Sequence, residues 1–533
     1  MKLRSSAGNI FLGLLALTTF RDFIEMVLEG NSVMRTDDPM ATLKNYFLHF
    51  NTFFYLIYVC LSLILYGFSL KRVSISECFR VGALAMMLIL LPPVFGYIFE
   101  EPSLILYPSD PMGVVCNLHH LADPSFLYKG LTRGMRLEIL LAGAGAVVYL
   151  YIKTRRIFVS LIAGICISFT CIAIGLSIPF LAQVYEYGLH FGDHPLHQST
   201  LLHQGFVVHG TGCKIGLLYI FLSLLFFSLA YYLRNPGYFC AAIRNFRWTR
   251  SLHYILLYVA GIIYVYFNPP LGGDFSYIRT IWQHPFDVIG ILMAGLAVFL
   301  SFQSAVVFND IYDHKIDRLS NANRPLVSHS IPLGEYRLLG RLFAIVALSI
   351  SLCISETFFF FITLYQLLAF LYSAPPFRLR RYLVASNMLL AVIFMLTFHA
   401  GAVTLVSDYR FWLIPTHVTF VLLLLFALSL TVKDAKDYEG DRCAGVHTLY
   451  TVFGKKTGDV LTSLFVSCSI VLAPVLLHLP SMLVFSSVVC ILFLLVITFV
   501  HHYRAKEGLV VLLYFLYMVV LFYSLIFKAS DVF

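Results

Sequence analysis

Asp310-Ile-Tyr-Asp313-His-Lys-Ile-Asp317 and Asp434-Ala-Lys-Asp437-Tyr-Glu-Gly-Asp441 share one spacing, D-x-x-D-x-x-x-D, and each closes a long apolar run. A helical residue advances about 100°, so offsets of three and seven fall within about 60° of each other. Each stretch is therefore expected to place three carboxylates on one helix face. The apolar runs that carry them decide the fold class. They approach the ~20 residues that a helix needs to cross a bilayer, and they recur along the whole chain.

Composition supports the same reading. The 533 residues are 59% hydrophobic and only 12% charged, with a mean hydropathy of +0.84. A soluble protein of this length carries about twice that charge. The ten-residue alternation of an outer-membrane barrel is absent, so an all-α polytopic membrane protein within the lipid bilayer is expected. The net charge of +9 is read as loop topology, and no nucleic-acid partner is expected. The 11 cysteines form no CxxC pair, which argues against a zinc or redox site. Cys116 and Cys213 fall in loops placed outside the membrane, where a disulfide between them is conceivable. Lys2 and Arg4 precede an apolar stretch with no small-residue cleavage site, so the first helix is read as retained.

About six apolar segments occupy residues 1–235, near 8–28, 52–70, 81–99, 137–153, 157–183 and 214–233. A basic stretch at 236–250, with Pro236, Gly237, Arg244, Arg247 and Arg250, reads as a linker. About nine more segments fill 251–533, near 252–268, 286–308, 337–355, 357–374, 383–405, 411–432, 459–478, 481–500 and 508–527. With this count, the basic clusters from Lys2/Arg4 through Lys71/Arg72/Arg80, Lys153/Arg155/Arg156, Arg234–Arg250, Lys315–Arg341, Arg378/Arg380/Arg381 and Lys433–Lys456 to Arg504/Lys506 all fall on one side. The positive-inside rule makes that side cytoplasmic, and both acidic motifs lie there. A prokaryotic plasma membrane is the expected location.

A carboxylate near hydrocarbon is costly and usually faces a polar cavity with a function. Three on one face repel one another, and a hard divalent cation relieves the repulsion. Mg2+ typically takes one or two carboxylates and completes its shell with phosphate oxygens. Two acidic faces on one side of a membrane therefore point to a clamp for a diphosphate and its metal. The interleaved Lys315, Arg318, Lys433, Lys436 and Arg442 fit an anion site as well as a cytoplasmic loop.

Asn309-Asp-Ile-Tyr-Asp-His-Lys-Ile-Asp317 resembles the N-D-x-x-D-x-x-x-D motif of the UbiA-type intramembrane polyprenyl transferases. Asn323-Arg324-Pro325-Leu326 resembles that family's R-P-L region. Leu371-Tyr372-Ser373-Ala-Pro375-Pro376-Phe-Arg378-Leu-Arg380-Arg381 resembles its Y-S-x-P-P-x-R segment, and Lys433–Asp441, followed by Arg442, resembles its second acidic region. The motifs occur in family order and cover roughly residues 245–530. The resemblance implies a nine-helix bundle around a central lateral cavity. It implies transfer of an isoprenoid chain from a polyprenyl (allylic) diphosphate to a membrane-associated acceptor, with Mg2+ and Mn2+ as its substitute. Carried over by motif, Asp310, Asp313, Asp434 and Asp437 are the catalytic carboxylates and metal ligands, and Asp317 and Asp441 complete the metal set. Asn309, Arg324, Tyr372, Arg378, Arg381 and Lys433 are the expected diphosphate ligands. The acceptor, an aromatic ring or a lipid or sugar hydroxyl, is not specified. Asp317, Asp441 and His314 are candidate bases. The sequence does not specify an oligomeric state.

Residues 1–235 carry no recognised motif. Their outward loops hold His119, His120 and Asp123, and His190, Asp193, His194, His197, His203 and His209. Imidazole and carboxylate suit zinc or iron, but Pro195 interrupts helical presentation of Asp193, His194 and His197, and no HExxH occurs. An interfacial hydrogen-bonding loop is the plainer reading. Two rival functions stand beside prenyl transfer. Phosphoalcohol transfer between lipid head groups needs a D-G-x-x-A-R core that the acidic regions lack. A non-catalytic cation transporter or channel would place its carboxylates near mid-membrane, whereas these lie at one face beside arginines.

Overall fold

The computed structural model describes residues 7–29, 43–100, 132–187, 207–208, 210–269, 276–283, 285–406, 410–435, 437–499 and 503–530. Among these, every regular element is a helix. Each apolar run identified in the sequence is helical, and 12 of the helices are long and apolar enough to cross a membrane. Pro480–Val496 and Leu512–Phe527 are shorter apolar helices. The chain is an all-α, multi-pass integral membrane protein. The histidine loops, with His119, His120, Asp123 and His190–His209, and Cys116 of the suggested disulfide lie outside the described residues.

The chain divides into two compact units. The first is Met1–Cys240 with Trp282–Gly290, and the second is Ala241–Ile281 with Ile291–Phe533. The first unit contains α1 (Ala7–Glu29), α2 (His49–Phe68), α3 (Ile75–Ala85), α4 (Leu91–Ile98), α5 (Arg133–Thr154), α6 (Ile157–Tyr187) and α7 (Thr211–Arg234). Ser74 and Thr132 start α3 and α5 by accepting from the amides of Glu77 and Met135, a side-chain cap for otherwise orphaned donors. α2 packs on α6 and α7, and α5 on α6, around a core that includes Leu56, Val59, Leu150, Ala163, Ile215 and Tyr219.

The stretch read as a linker is itself structured. It forms α8 (Pro236–Arg244) and the start of α9 (Trp248–Phe267). The second unit continues with α10 (Pro285–Tyr312) from Ile291 onward, α11 (His314–Ser320), α12 (Leu333–Ile354), α13 (Glu356–Ser373), α14 (Leu383–Thr404) and α15 (Thr416–Ser429), which runs into a 3-10 turn at Leu430–Ala435. It closes with α16 (Tyr438–Cys443), α17 (Leu449–Phe453), α18 (Lys455–Leu476), α19 (Leu483–Phe499) and α20 (Tyr503–Ser530). α9, α14, α15, α18, α19 and α20 pack in succession, and α20 returns to α9, so these helices close a ring. α13 packs on α14 and α12 on α13. Polar side chains tie α10 to its neighbours: Gln303 donates to Ser251 of α9 at 2.8 Å, and Ser304 to the Gly340 carbonyl of α12 at 2.9 Å.

Two glycines let α9 and α14 cross closely. A Cβ at Gly261 would lie 2.0 Å from the Phe398 carbonyl oxygen, and one at Gly401 1.9 Å from that of Tyr258. Small residues at such crossings are the usual basis of close helix packing in lipid, where apolar burial against other helices gains nothing over burial in acyl chains.

Candidate active site

Both acidic motifs depart from continuous α-helix, and at the same place. α10 stops at Tyr312, Asp313 has φ −95° and ψ 10°, and α11 begins at His314. In the second motif Asp434 lies in the 3-10 turn, Asp437 has φ −94° and ψ 11°, and α16 follows. The middle aspartate of each motif thus occupies the bridge region, which is common among active-site residues. The expectation of one unbroken helical face is corrected here, because polar chain leaving the bilayer is no longer held to α geometry by apolar packing. The i to i−4 bond nonetheless persists across each break: Asp317 N donates to Asp313 O at 2.9 Å, and Asp441 N to Asp437 O at 2.8 Å. The two short helices that follow, α11 and α16, pack on each other.

Asp310, 1% exposed, is held by four donors. Arg247 Nη2 and Arg324 Nη1 pair with Oδ1 at 2.6 and 3.1 Å. Tyr336 Oη and Asn245 Nδ2 donate to Oδ2 at 2.8 and 3.1 Å. Arg324 Nε also lies 4.0 Å from Asp317 Oδ1, so it spans the first and third carboxylates of its motif. Asp313 is equally buried. It pairs with Arg378 Nη2 at 2.8 Å and with Arg380, and accepts from the Asn309 amide.

Arg380 joins the two motifs. Besides Asp313, it pairs through Nη2 with Asp441 Oδ1 at 2.9 Å and lies 4.0 Å from Asp437 Oδ2. Asn321 makes a second bridge, donating to Asp317 Oδ1 at 3.0 Å and to Asp437 Oδ1 at 3.3 Å. On the second motif, Lys433 Nζ pairs with Asp434 Oδ1 at 2.9 Å and is anchored to Asn387 Oδ1 at 3.0 Å and Ser386 Oγ at 3.2 Å. Burial raises the Asp317 carboxyl to about 6 against the pull of Arg324. It raises that of Asp441 to about 6 against the pull of Arg380. Burial also lowers the Arg378 guanidinium from its ordinary value. Each shift is what removing water from a charged group does.

Of the residues named from sequence, Asn309, Asp310, Asp313, Asp317, Arg324, Arg378, Lys433, Asp434, Asp437 and Asp441 are brought to one end of the second unit. Tyr372 is half-buried beside Ser373, whose Oγ lies 3.5 Å from Asn309 Nδ2. Arg381 differs: it is exposed, forms no ion pair among the described residues, and offers its backbone carbonyl to His447 N at 2.9 Å. Its neighbour Arg380 takes the place against the carboxylates, because Arg378 adopts a left-handed conformation at φ 40° and the short turn after it directs alternate side chains differently. Sequence reading also passed over Asn245 and Arg247, in the stretch read as a linker, and Tyr336 on α12. The one available signal was the density of arginine just before α9.

Five aromatic rings meet deeper in the unit. Tyr254 of α9 stands 4.5 Å from Phe302 of α10, 5.8 Å from Tyr365 of α13 and 5.1 Å from Phe394 of α14, and Phe394 is 5.3 Å from Phe426 of α15. Phe302 precedes Asp310, and Phe426 precedes Asp434, by the same eight residues, or about 12 Å of helix. An aromatic layer therefore underlies both acidic motifs.

The carboxylates are hard oxygen donors of the kind Mg2+ prefers, but among the described residues no three His, Cys, Asp or Glu side chains gather about one point. The set therefore fits a cation held by one or two carboxylates and completed by a substrate's phosphate oxygens. The bases now paired with the carboxylates are the natural partners for the remaining phosphate charge.

Residues 279–526 match the UbiA prenyltransferase family. This UbiA-type segment resembles the digeranylgeranylglyceryl phosphate synthase of Methanosphaera stadtmanae, 27% identical over 188 residues, which are 35% of this chain and 66% of that protein. It resembles the "Probable homogentisate phytyltransferase 2, chloroplastic" of Oryza sativa subsp. japonica, 34% identical over 170 residues, 30% of this chain and 44% of that protein. The chain thus spans less than two thirds of the length of both relatives. Among solved structures, a UbiA homolog from Archaeoglobus fulgidus bound to DMAPP and Mg2+ aligns with a TM-score of 0.41 and 18% identity, over 55% of this chain and 99% of that one.

Proposed function

We propose that the UbiA-type segment is an Mg2+-dependent prenyltransferase. It moves an isoprenoid chain from an allylic diphosphate to a membrane-associated acceptor and releases diphosphate. The observation that carries this reading is Arg380, which pairs with carboxylates of both motifs and so makes them one site. Aspartates such as Asp310, Asp313, Asp434 and Asp437 would hold Mg2+, which would supply positive charge to a departing diphosphate. Arg247, Arg324, Arg378, Arg380 and Lys433 exchange their carboxylate partners for phosphate oxygens as the substrate enters. Charge aimed in advance at a leaving group lowers the barrier most where water is excluded. The rings of Tyr254, Phe302, Tyr365 and Phe394 give the allylic portion an apolar, π-rich wall that can stabilise developing positive charge.

The acceptor is a membrane-associated aromatic ring or a lipid or sugar hydroxyl, and the names of the two relatives fit the first two classes. The positive-inside rule, applied to the basic clusters, supports a site on the cytoplasmic side. The division of the chain into a multi-helix N-terminal domain and a transferase domain belongs to the same proposal. A cation pathway is less well supported, because carboxylates paired with arginine leave little net charge for a bare cation. The test is diphosphate release by the purified full chain from allylic diphosphates of graded length, with acceptor lipids, and with or without Mg2+. Release that needs Mg2+ supports the reading, and none at any chain length or acceptor overturns it.

A further inference from the structure

Two hollows of 410 and 320 Å³ share Phe308 of α10 and Phe370 of α13 and so form one groove on the lateral face between α10, α12 and α13. One end is basic, with Arg337 and Arg341 of α12. The other is lined by Leu348 and Leu367 among small residues. Along α12, Arg337 to Leu348 is eleven residues, or about 16 Å. That is about half of a ~30 Å hydrocarbon core, the depth of a single leaflet.

The groove is separate from the acidic site. At about 100° per residue, Phe308, Ile311 and Tyr312 share one sector of α10, and Asn309 and Asp310 share the opposite one. α10 is therefore the wall between them. The polar groups at the deep end satisfy one another: Gln366 Nε2 donates to Ser301 Oγ at 3.1 Å and to the Ala344 carbonyl at 3.2 Å. What remains for an occupant is an apolar trough. At its mouth Arg337 and Arg341 are exposed and form no ion pair among the described residues. Like charges four residues apart on a helix repel, and an anion between them removes that cost. Bidentate guanidinium groups also suit phosphate geometry.

We propose that this groove binds one anionic phospholipid of the cytoplasmic leaflet, with its phosphate between Arg337 and Arg341 and an acyl chain along Phe308, Phe370 and Leu367. The site does not depend on the transfer reaction. It adjoins the acidic site across α10 and through α12, where Tyr336, beside Arg337, holds Asp310.

The test is native mass spectrometry of the full chain after equilibration with phosphatidylglycerol, with phosphatidylcholine as the neutral comparison. The parent protein is expected to retain one phosphatidylglycerol in preference to phosphatidylcholine. The Arg337→Ala/Arg341→Ala double variant should retain about tenfold less, while Lys455→Ala/Lys456→Ala, at an exposed basic pair away from the groove, retains as much as the parent. Ala344→Phe keeps both arginines but fills the trough, and it should lose the lipid while its thermal unfolding stays near that of the parent. Equal loss from the two basic-pair variants, or full retention by Ala344→Phe, leaves only surface charge and overturns the groove. Diphosphate release by the parent is measured separately, so failure of the lipid site and failure of the transferase reading are distinguishable.

Discussion

The two units both bury charged side chains, and they neutralise them differently. In the first, Arg21 pairs with Asp22 at 3.0 Å and with Glu25 at 2.6 Å, and each side chain is 2% exposed or less. All three stand on one turn and a half of α1, and the guanidinium lies 5.0 Å from the centre of the Phe50 ring. In the second, Arg247 reaches Asp310 across 63 residues, Arg378 reaches Asp313 across 65, and Arg380 reaches Asp441 across 61. A pair whose partners stand on one helix is brought together as that helix forms. Pairs assembled from α9, the α13–α14 turn and the two motif ends can trade a carboxylate for a phosphate without unfolding any element. Local neutralisation suits a scaffold, and distributed neutralisation suits a site.

The sharpest way to break this contrast is at Asp310 and Asp434. Asp310→Ala and Asp434→Ala should each lower diphosphate release by about 10³-fold. A variant that stays within about twofold of the parent in that assay removes the two-motif site. Next in size is the scaffold. Arg21→Ala leaves buried carboxylates uncompensated and should cost about 3–4 kcal/mol, read as faster hydrogen exchange in α1 and α2 with turnover per folded molecule unchanged. The triple replacement Arg21→Met, Asp22→Asn, Glu25→Gln should recover most of that stability. Loss of turnover in the triple variant would give the first unit's charges more than a structural role.

Arg380→Ala should reduce diphosphate release by about 10- to 100-fold, or about 1.4–2.7 kcal/mol, while Arg381→Ala stays within about twofold. The reverse order would move the phosphate contact to the exposed arginine. A smaller effect than at Arg380 is expected at Tyr336→Phe, which deletes one of four donors to Asp310 and should cost about 1 kcal/mol, or about fivefold in turnover. If Tyr336→Phe were as damaging as Asp310→Ala, the hydrogen-bonded form of Asp310 would itself be the working state.

Much of this was legible from residues in order. Apolar runs such as 383–405 and 459–478 set the positions of α14 and α18, because membrane helices are specified by length and hydrophobicity alone. The repeated spacing found both acidic motifs, and the neighbouring Arg324, Arg378 and Lys433 proved to contact them. What escaped was orientation and distance. Arg380 and Arg381 are adjacent and chemically identical, and only the left-handed turn at Arg378 decides which one faces the carboxylates. Asn245 and Arg247 sat in a stretch whose basic composition is equally that of any cytoplasmic loop. Tyr336 looked like one more aromatic of a membrane helix. The break at Asp313 and Asp437 was hidden because D-x-x-D-x-x-x-D is compatible with unbroken helix and differs from it only in one residue's backbone.

By itself, the sequence determined that the chain is a bundle of membrane helices and that two acidic motifs of one spacing close two of them, since hydrophobic length and motif spacing are properties of neighbouring residues. Only the tertiary structure decided which base answers which carboxylate, that Arg380 and Asn321 fuse the two ends, and that α10 separates them from a basic-mouthed groove. Those contacts join residues whose separation along the chain places no limit on their separation in space until the helices have packed.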